Sequence, residues 1–250
     1  MEKDGYGSFG ANASKYGAAR QAFPEEIFKH LKEWAGSRTT VLDMGCGTGI
    51  PSRQLADYGF IVTGSDIDER MIEQAKIDSR NYGITYVTSP SDKLPFKNES
   101  FDIITAFSAF HWFCDDQSLA EIQRVLSDEG LFFIVNKNET GDMKEIIKNT
   151  LKPFLDSELP KDVKKDYDPV MILRNHGLNN VQEYNVSVVE EYSIDDAVLY
   201  AQSMSIWNLV RKECGKALGA LKNTFRAHSQ NGIVLRPLEV RAVSVLKNLL

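Results

Sequence analysis

Val41-Leu42-Asp43-Met44-Gly45-Cys46-Gly47-Thr48-Gly49 decides how this chain reads. The β-branched run Thr39 to Leu42 predicts a short strand. It ends in a turn with glycine at every second position, and Pro51 then starts a helix that carries Leu55 and Ala56 inward. Glycines in such a turn let the chain bend sharply and let a ligand approach backbone with no Cβ in the way. Two details narrow the ligand. The dinucleotide fingerprint Gly-x-Gly-x-x-Gly needs a third glycine where Ile50 stands. Asp43 precedes the glycines, where a carboxylate repels a pyrophosphate but can pair with a ligand ammonium. Both features favour a nucleoside carrying an amino acid over a dinucleotide.

Working outward, Pro24 opens a helix as its first residue, with Ile27, Phe28, Leu31 and Trp34 on one face. The residues before it, rich in Gly, Ser, Ala and Asn, read as a mobile arm. Downstream, Phe60 to Gly64 predicts a second strand, closed by Asp66, and Asp68 caps a helix through Ala75. Ile84 to Val87 predicts a strand, followed by a loop holding Leu94-Pro95-Phe96. Phe101 to Ala106 predicts the next strand. A helix then carries Leu119, Ile122, Val125 and Leu126, and Asp128-Glu129-Gly130 turns into the strand Leu131 to Val135. Alternating strands and helices imply a mostly parallel sheet with helices on both faces, and ligands beyond the carboxyl ends of its strands.

After Val135 the alternation loosens. Helices are expected near Met143 to Leu155, Pro169 to Asn175, Asp195 to Ser203 and Cys214 to Arg226, with strands at Val181 to Val189 and near Val240 to Leu246. This part is read as completing the sheet and supplying a lid. The expected organisation is one domain over 1–250, with a cofactor-binding core at 36–137, an arm and helix at 1–35, and the sheet-completing lid segment at 138–250.

Composition limits the partners. The chain has 250 residues, 42% of them hydrophobic, and a formal net charge of -6. That balance gives no attraction for a phosphate backbone, so nucleic acid is not expected. Lys161, Lys164 and Lys165 cluster, but Asp162, Asp166 and Asp168 lie among them, as on a solvated face. No signal-peptide pattern and no apolar run long enough for a bilayer is present, so no membrane association is expected. The three cysteines, Cys46, Cys114 and Cys214, have neither metal-ligand nor disulfide spacing. A reduced, cytoplasmic protein that binds no metal, monomeric or homodimeric, is the expectation.

Asp66 stands about 20 residues beyond the glycine turn, where an acidic side chain accepts hydrogen bonds from ribose hydroxyls. Ile67 and Met71 can flank an adenine ring or pack in the core. Together the glycine turn, Gly64-Ser65-Asp66-Ile67-Asp68, Leu94-Pro95-Phe96 before Ser100-Phe101-Asp102, and Arg124-Val125-Leu126 before Gly130 resemble the ordered motifs of class I S-adenosylmethionine-dependent methyltransferases. Tyr16, Arg20 and Pro24, with Ala109-Phe110-His111-Trp112-Phe113, resemble the small-molecule branch that contains trans-aconitate methyltransferases.

The resemblance implies a Rossmann-like α/β fold with a mostly parallel seven-stranded sheet, helices on both faces and a helical lid. It implies S-adenosylmethionine as cofactor and a small-molecule acceptor. It places Asp43, Gly45, Cys46, Gly47, Asp66, Ile67, Met71 and Phe107 around the cofactor, with Tyr16 and Arg20 closing over its methionine end. Ser91 and Asp92 would border the adenine. Pro90, which cannot accept through a side chain, stands two positions before Asp92, where the family often carries an acidic residue.

Methyl transfer from a sulfonium is an in-line displacement, helped by alignment and exclusion of water. A carboxylate acceptor needs no general base; a hydroxyl, amine or carbon acceptor needs a proton removed. His111 is the candidate catalytic residue, because Phe107 to Phe113 follows the fourth strand. Its ring can take a proton, orient an acceptor, or simply pack beside Trp112. Trp112 and Trp207 are candidate acceptor contacts, Trp207 with Tyr200 and Met204 in the lid, although aromatic stripes at helical spacing also build cores. A small-metabolite methyltransferase, a carboxylate among its candidate acceptors, is the leading reading. A quinone-type C-methyltransferase and a cofactor-binding regulatory protein without turnover are its rivals.

Overall fold

A computed structural model describes residues 10, 13–158, 167–178, 180–210 and 213–247. The lysine-rich run from Lys161 to Asp166 and most of the first twelve residues lie outside the described residues.

The strands are β1 (Thr40–Met44), β2 (Ile61–Asp66), β3 (Thr85–Thr88), β4 (Phe101–Phe107), β5 (Leu126–Glu139), β6 (Gln182–Ser193) and β7 (Ile233–Leu246). They form a seven-stranded sheet in the order β3-β2-β1-β4-β5-β7-β6. The pairs β1–β2, β2–β3, β1–β4 and β4–β5 are all parallel. β1 lies centrally with four of its five residues buried, as expected of a strand covered on both faces. The order reverses between β1 and β4, which makes the carboxyl end of β1 a topological switch point.

The helices follow the apolar spacing of the sequence. α1 (Ala13–Ala19) and α2 (Glu25–Ala35) precede β1; α3 (Ile50–Asp57) and α4 (Glu69–Asp78) follow β1 and β2; α5 (Asp116–Val125) leads into β5. α2 buries Ile27, Phe28, Leu31 and Ala35. α4 is capped by Asp68, whose side chain accepts from Arg70 N. Beyond β5 come α6 (Met143–Leu151), α7 (Pro169–Asn175), α8 (Ile194–Gln202) and α9 (Cys214–His228).

Several expectations shift. The arm read as mobile contains α1, which packs against α8. Pro24 sits at the cap position of α2, one residue before its first turn. Leu126 does not end α5 but begins β5. The expected turn Asp128-Glu129-Gly130 is a bulge inside that long strand. Phe101 pairs with Leu126 and Ile103 with Leu131, so the β5 segment between them carries three extra residues, and Glu129 takes a positive φ of 59°.

The chain divides into two compact units. The sheet unit comprises Ala22–Lys137, Val163–Val186 and Val240–Leu250; the helical unit comprises Met1–Gln21, Asn138–Asp162 and Ser187–Glu239. Phe110, Phe113, Leu119, Ile122, Phe132, Ile134, Leu173 and Val243 belong to the core of the sheet unit. Met143, Ile147, Tyr200, Trp207, Leu221 and Phe225 belong to that of the helical unit. No helix among the described residues is long and apolar enough to cross a membrane.

Candidate functional site

Gly45, Gly47 and Gly49 have positive φ values of 65°, 55° and 74°, so the loop after β1 uses glycine for backbone that side chains disfavour. Backbone bonds fix its shape. Cys46 N donates to Ser65 O at 3.0 Å and Gly49 N to Cys46 O at 2.9 Å. Gly47 N donates to the Asp66 carboxylate at 2.9 Å, which ties the loop to the end of β2. The other Asp66 oxygen accepts from Asp68 N at 2.9 Å. Burial raises the Asp66 carboxyl, although these backbone bonds oppose the rise. Gly64 is bare for packing: a Cβ there would lie 2.7 Å from the Tyr86 ring and 3.0 Å from Cys46 Sγ.

Asp43 lies behind the loop, fully buried. Its carboxylate accepts from Ser52 Oγ on α3 at 2.6 Å and from Thr105 Oγ1 on β4 at 2.9 Å. Thr105 is its register partner across the β1–β4 ladder. Both oxygens are thus engaged by hydroxyls, and the side chain joins β1, α3 and β4. Burial pushes its carboxyl up to about 7, against the pull of the two hydroxyl bonds. The folded chain therefore holds this proton more tightly than the unfolded one, whose aspartate titrates near ~3.9. The resulting stability is complete below about pH 4 and is lost as pH rises through about 7. The melting temperature should fall between about pH 5 and pH 7.5, and Asp43→Asn should flatten that fall. Parallel melting profiles for the two chains would reject this account.

Cys46 is buried, and burial, followed by Asp43 and Asp66, pushes its thiol up, so it packs rather than attacks. Ile67 is 74% exposed, whereas Met71 is buried and its methyl would lie 3.4 Å from a Cβ at Gly47. Ser89 N donates to Asp66 O at 2.9 Å, which brings the loop after β3 to the same strand end. In that loop Ser91 shares a hydrogen bond with Ser118 Oγ at 2.9 Å, and Asp92 is exposed.

The Phe107 side chain turns away into a cluster with Phe23, Phe28 and Phe133, at centroid distances of 4.9, 5.5 and 6.4 Å. Only its main chain remains at the strand end. Ser108 follows with φ 52°, and its N–H is held by Val135 O at 2.7 Å. Then comes a single 3-10 turn, Phe110–Trp112, in which His111 is half-buried and Trp112 is 47% exposed. The His111 ring lies 4.9 Å from Trp112 and 5.6 Å, edge-on, from Tyr167.

The sheet unit thus brings together Asp43, Gly45, Cys46, Gly47, Asp66, Ile67, Met71, Ser91, Asp92, Phe107, His111 and Trp112. Tyr16, Arg20 and Trp207 belong to the helical unit. There the Arg20 guanidinium lies over the rings of Tyr16 (4.8 Å) and Tyr200 (4.6 Å) and donates to Tyr200 OH at 3.4 Å. Its Nε is buried without a partner among the described residues. Trp207 is buried in that unit's core. Sequence reasoning missed Ser52 and Thr105 as partners of Asp43, and also Asn136 and Tyr167. Thr105 stands 62 positions from Asp43, and only strand order relates them.

A strand-glycine-helix switch point with an acidic residue at the next strand end is the arrangement at which doubly wound α/β folds place their ligands. Residues 42–134 match the family model described as a methyltransferase domain. Over those residues the chain is similar to methyltransferase domains, and its sheet is Rossmann-like. It is 40% identical over 113 residues to an uncharacterized protein of Methanocaldococcus jannaschii, covering 45% of this chain and 42% of that one. It is 33% identical over 122 residues to a ubiquinone biosynthesis O-methyltransferase of Bartonella bacilliformis, covering 48% of each. The chain therefore spans about half the length of the curated relatives it matches. A structure of a proposed type II methyltransferase from Anaeromyxobacter dehalogenans superposes with a TM-score of 0.62 at 24% identity, covering 91% of this chain and 96% of that one. At that identity the likeness is one of fold.

Proposed function

We propose that this chain transfers the methyl group of S-adenosylmethionine to a small-molecule acceptor. The observation that carries the reading is the Asp66 carboxylate, fixed by Gly47 N and Asp68 N beside a glycine loop that leaves backbone bare. Thr48 Oγ1, in the same loop, is buried with no partner among the described residues, as expected of a polar cradle built for a polar ligand. When bound, S-adenosylmethionine supplies a methyl group on an electrophilic sulfonium.

The chain's own residues do the rest. Asp66 accepts from the ribose hydroxyls with the lone pairs its two backbone bonds leave over. Exposed Ile67 covers the adenine, with Met71 behind the loop and Ser91 and Asp92 along the ring's edge. Gly45, Cys46 and Gly47 line the cradle by main chain, Phe107 contributes its main chain at the end of β4, and Asp43 holds the loop on the sheet. His111 and Trp112 face the acceptor, where the imidazole takes a proton or orients the nucleophile. Carboxylates form the first acceptor class to screen, because they need no base. In the helical unit Arg20 has no carboxylate partner among the described residues, which suits it to a ligand carboxylate.

Isothermal titration with S-adenosylhomocysteine tests the cofactor half directly. Asp66→Ala removes hydrogen bonds to a charged acceptor and should weaken binding by roughly 10- to 100-fold. Absence of binding by the parent chain at sub-millimolar concentration ends the proposal. Tight binding with no turnover on carboxylate, hydroxyl, amine or carbon acceptors would favour a binding-only role.

A further inference from the structure

Asn136 follows Val135, the residue on β5 that pairs with Phe107 at the end of β4. It is 3% exposed. A primary amide can make four hydrogen bonds. This one makes a single bond among the described residues, from Nδ2 to Tyr167 OH at 3.4 Å, beyond the usual 2.7–3.2 Å range. Its Oδ1 is buried with no partner among the described residues. Rotating the amide by half a turn exchanges oxygen for nitrogen and leaves the same deficit. Tyr167 in turn stands edge-on to His111 at 5.6 Å and to Phe110 at 6.2 Å. The under-bonded amide thus shares a tyrosine with the histidine that faces the acceptor.

We propose that Asn136, covered by Tyr167 beside His111, selects the methyl acceptor by hydrogen-bonding an uncharged polar group on it, such as a hydroxyl or carbonyl. This rests on the methyl-transfer reading above and names what that site recognises. Among the described residues Arg241, a cation near Tyr167, is engaged by Asp168 at 3.3 Å and by Glu183 at 2.7 Å. The long Asn136–Tyr167 bond is weak, so an incoming hydroxyl can take the amide without breaking a strong contact.

Asn136→Leu keeps the branched shape and removes the polar atoms, and Tyr167→Phe removes only the hydroxyl. Both should melt within roughly 2 °C of the parent chain or above it, because an under-bonded buried amide adds little stability. S-adenosylhomocysteine affinity should stay within about twofold. The turnover probe is a size-matched panel of phenols, hydroxy acids and carboxylic acids lacking a hydroxyl. Hydroxyl-bearing members should lose about tenfold or more in KM with Asn136→Leu at little cost in kcat, while the unhydroxylated acids stay unchanged. A melting temperature lowered by more than about 4 °C would make the amide structural and overturn the proposal. An unchanged acceptor preference would also overturn it. Should no panel member react, the melting comparison alone decides. Failure of the parent chain to bind S-adenosylhomocysteine would strike the methyl-transfer reading and this proposal with it, whereas binding with an unchanged acceptor preference would strike the proposal alone.

Discussion

Gly45→Ala is expected to lose measurable S-adenosylhomocysteine binding and to melt well below the parent chain. The residue adopts φ 65°, where an L side chain costs about 1–2 kcal/mol. A Cβ would also stand 2.6 Å from Ala109 Cβ and 3.1 Å from Phe113 Cε1, in backbone and ring that cannot swing aside. Overpacking of that kind adds roughly 1–3 kcal/mol. For a chain of this size the sum lowers the melting temperature by roughly 5–15 °C. Binding suffers further, because Ala109 and Phe113 belong to the segment that carries His111, and the loop and that segment must shift apart together. The second substitution Ala109→Gly separates the two causes. It should recover the part due to the clash and leave the part due to φ. A Gly45→Ala chain that binds and melts like the parent would show that the loop is not the tight cradle described above.

That result would test a feature legible from the sequence. The strand before the loop, the glycine spacing, Asp66 at the next strand end and Asp68 as a helix cap each follow from local chemistry. Periodicity placed every strand, because buried strands leave apolar runs bounded by turns, but β5 begins five residues and β7 seven residues before the expected start. The bulge in β5 was harder. Asp128-Glu129-Gly130 has turn composition, and only its ladder partner on β4 reveals that pairing continues on both sides.

The motifs also mixed two kinds of information. Leu94-Pro95-Phe96 and Arg124 helped to carry the resemblance to methyltransferases, yet their contacts are with each other. Arg124 donates to Phe96 O at 2.7 Å and to Leu94 O at 3.1 Å, and Glu121 accepts from Leu94 N at 2.7 Å. This is scaffolding that holds the loop between β3 and β4 against α5. Asp43 behaves similarly. Its sequence position suggested a ligand ammonium, whereas its two oxygens are taken by Ser52 and Thr105. A position beside a glycine turn is visible in sequence, but the direction of its side chain depends on which strands flank it. Asn136 and Tyr167 show the limit plainly, since they are 31 positions apart and neither stands out alone.

The second large effect concerns Arg236 in the helical unit, a residue that no sequence signal singled out. Arg236 is nearly buried and bridges two buried carboxylates, Glu139 at 2.7 Å and Glu190 at 2.7 Å. Tyr192 OH also donates to Glu190 at 2.7 Å, and Arg236 lies 4.6 Å over the Tyr200 ring. Arg236→Met leaves both carboxylates without their cation. Breaking a buried pair from one side costs about 3–5 kcal/mol, which lowers the melting temperature by roughly 6–20 °C. The deficit should depend on pH in a definite direction. Without Arg236, burial disfavours the charged form of both side chains. The variant is then most stable where they are protonated and loses stability as rising pH ionises them. The gap between variant and parent should therefore be small near pH 4.5 and widest at pH 7.5. Adding Glu139→Gln and Glu190→Gln removes the stranded charges and should recover most of the loss at pH 7.5, since replacing a whole buried ionic set is far less damaging than halving it. A gap that does not change with pH, or one that the triple variant fails to narrow, would mean that Arg236 acts through packing on Tyr200 and not through charge.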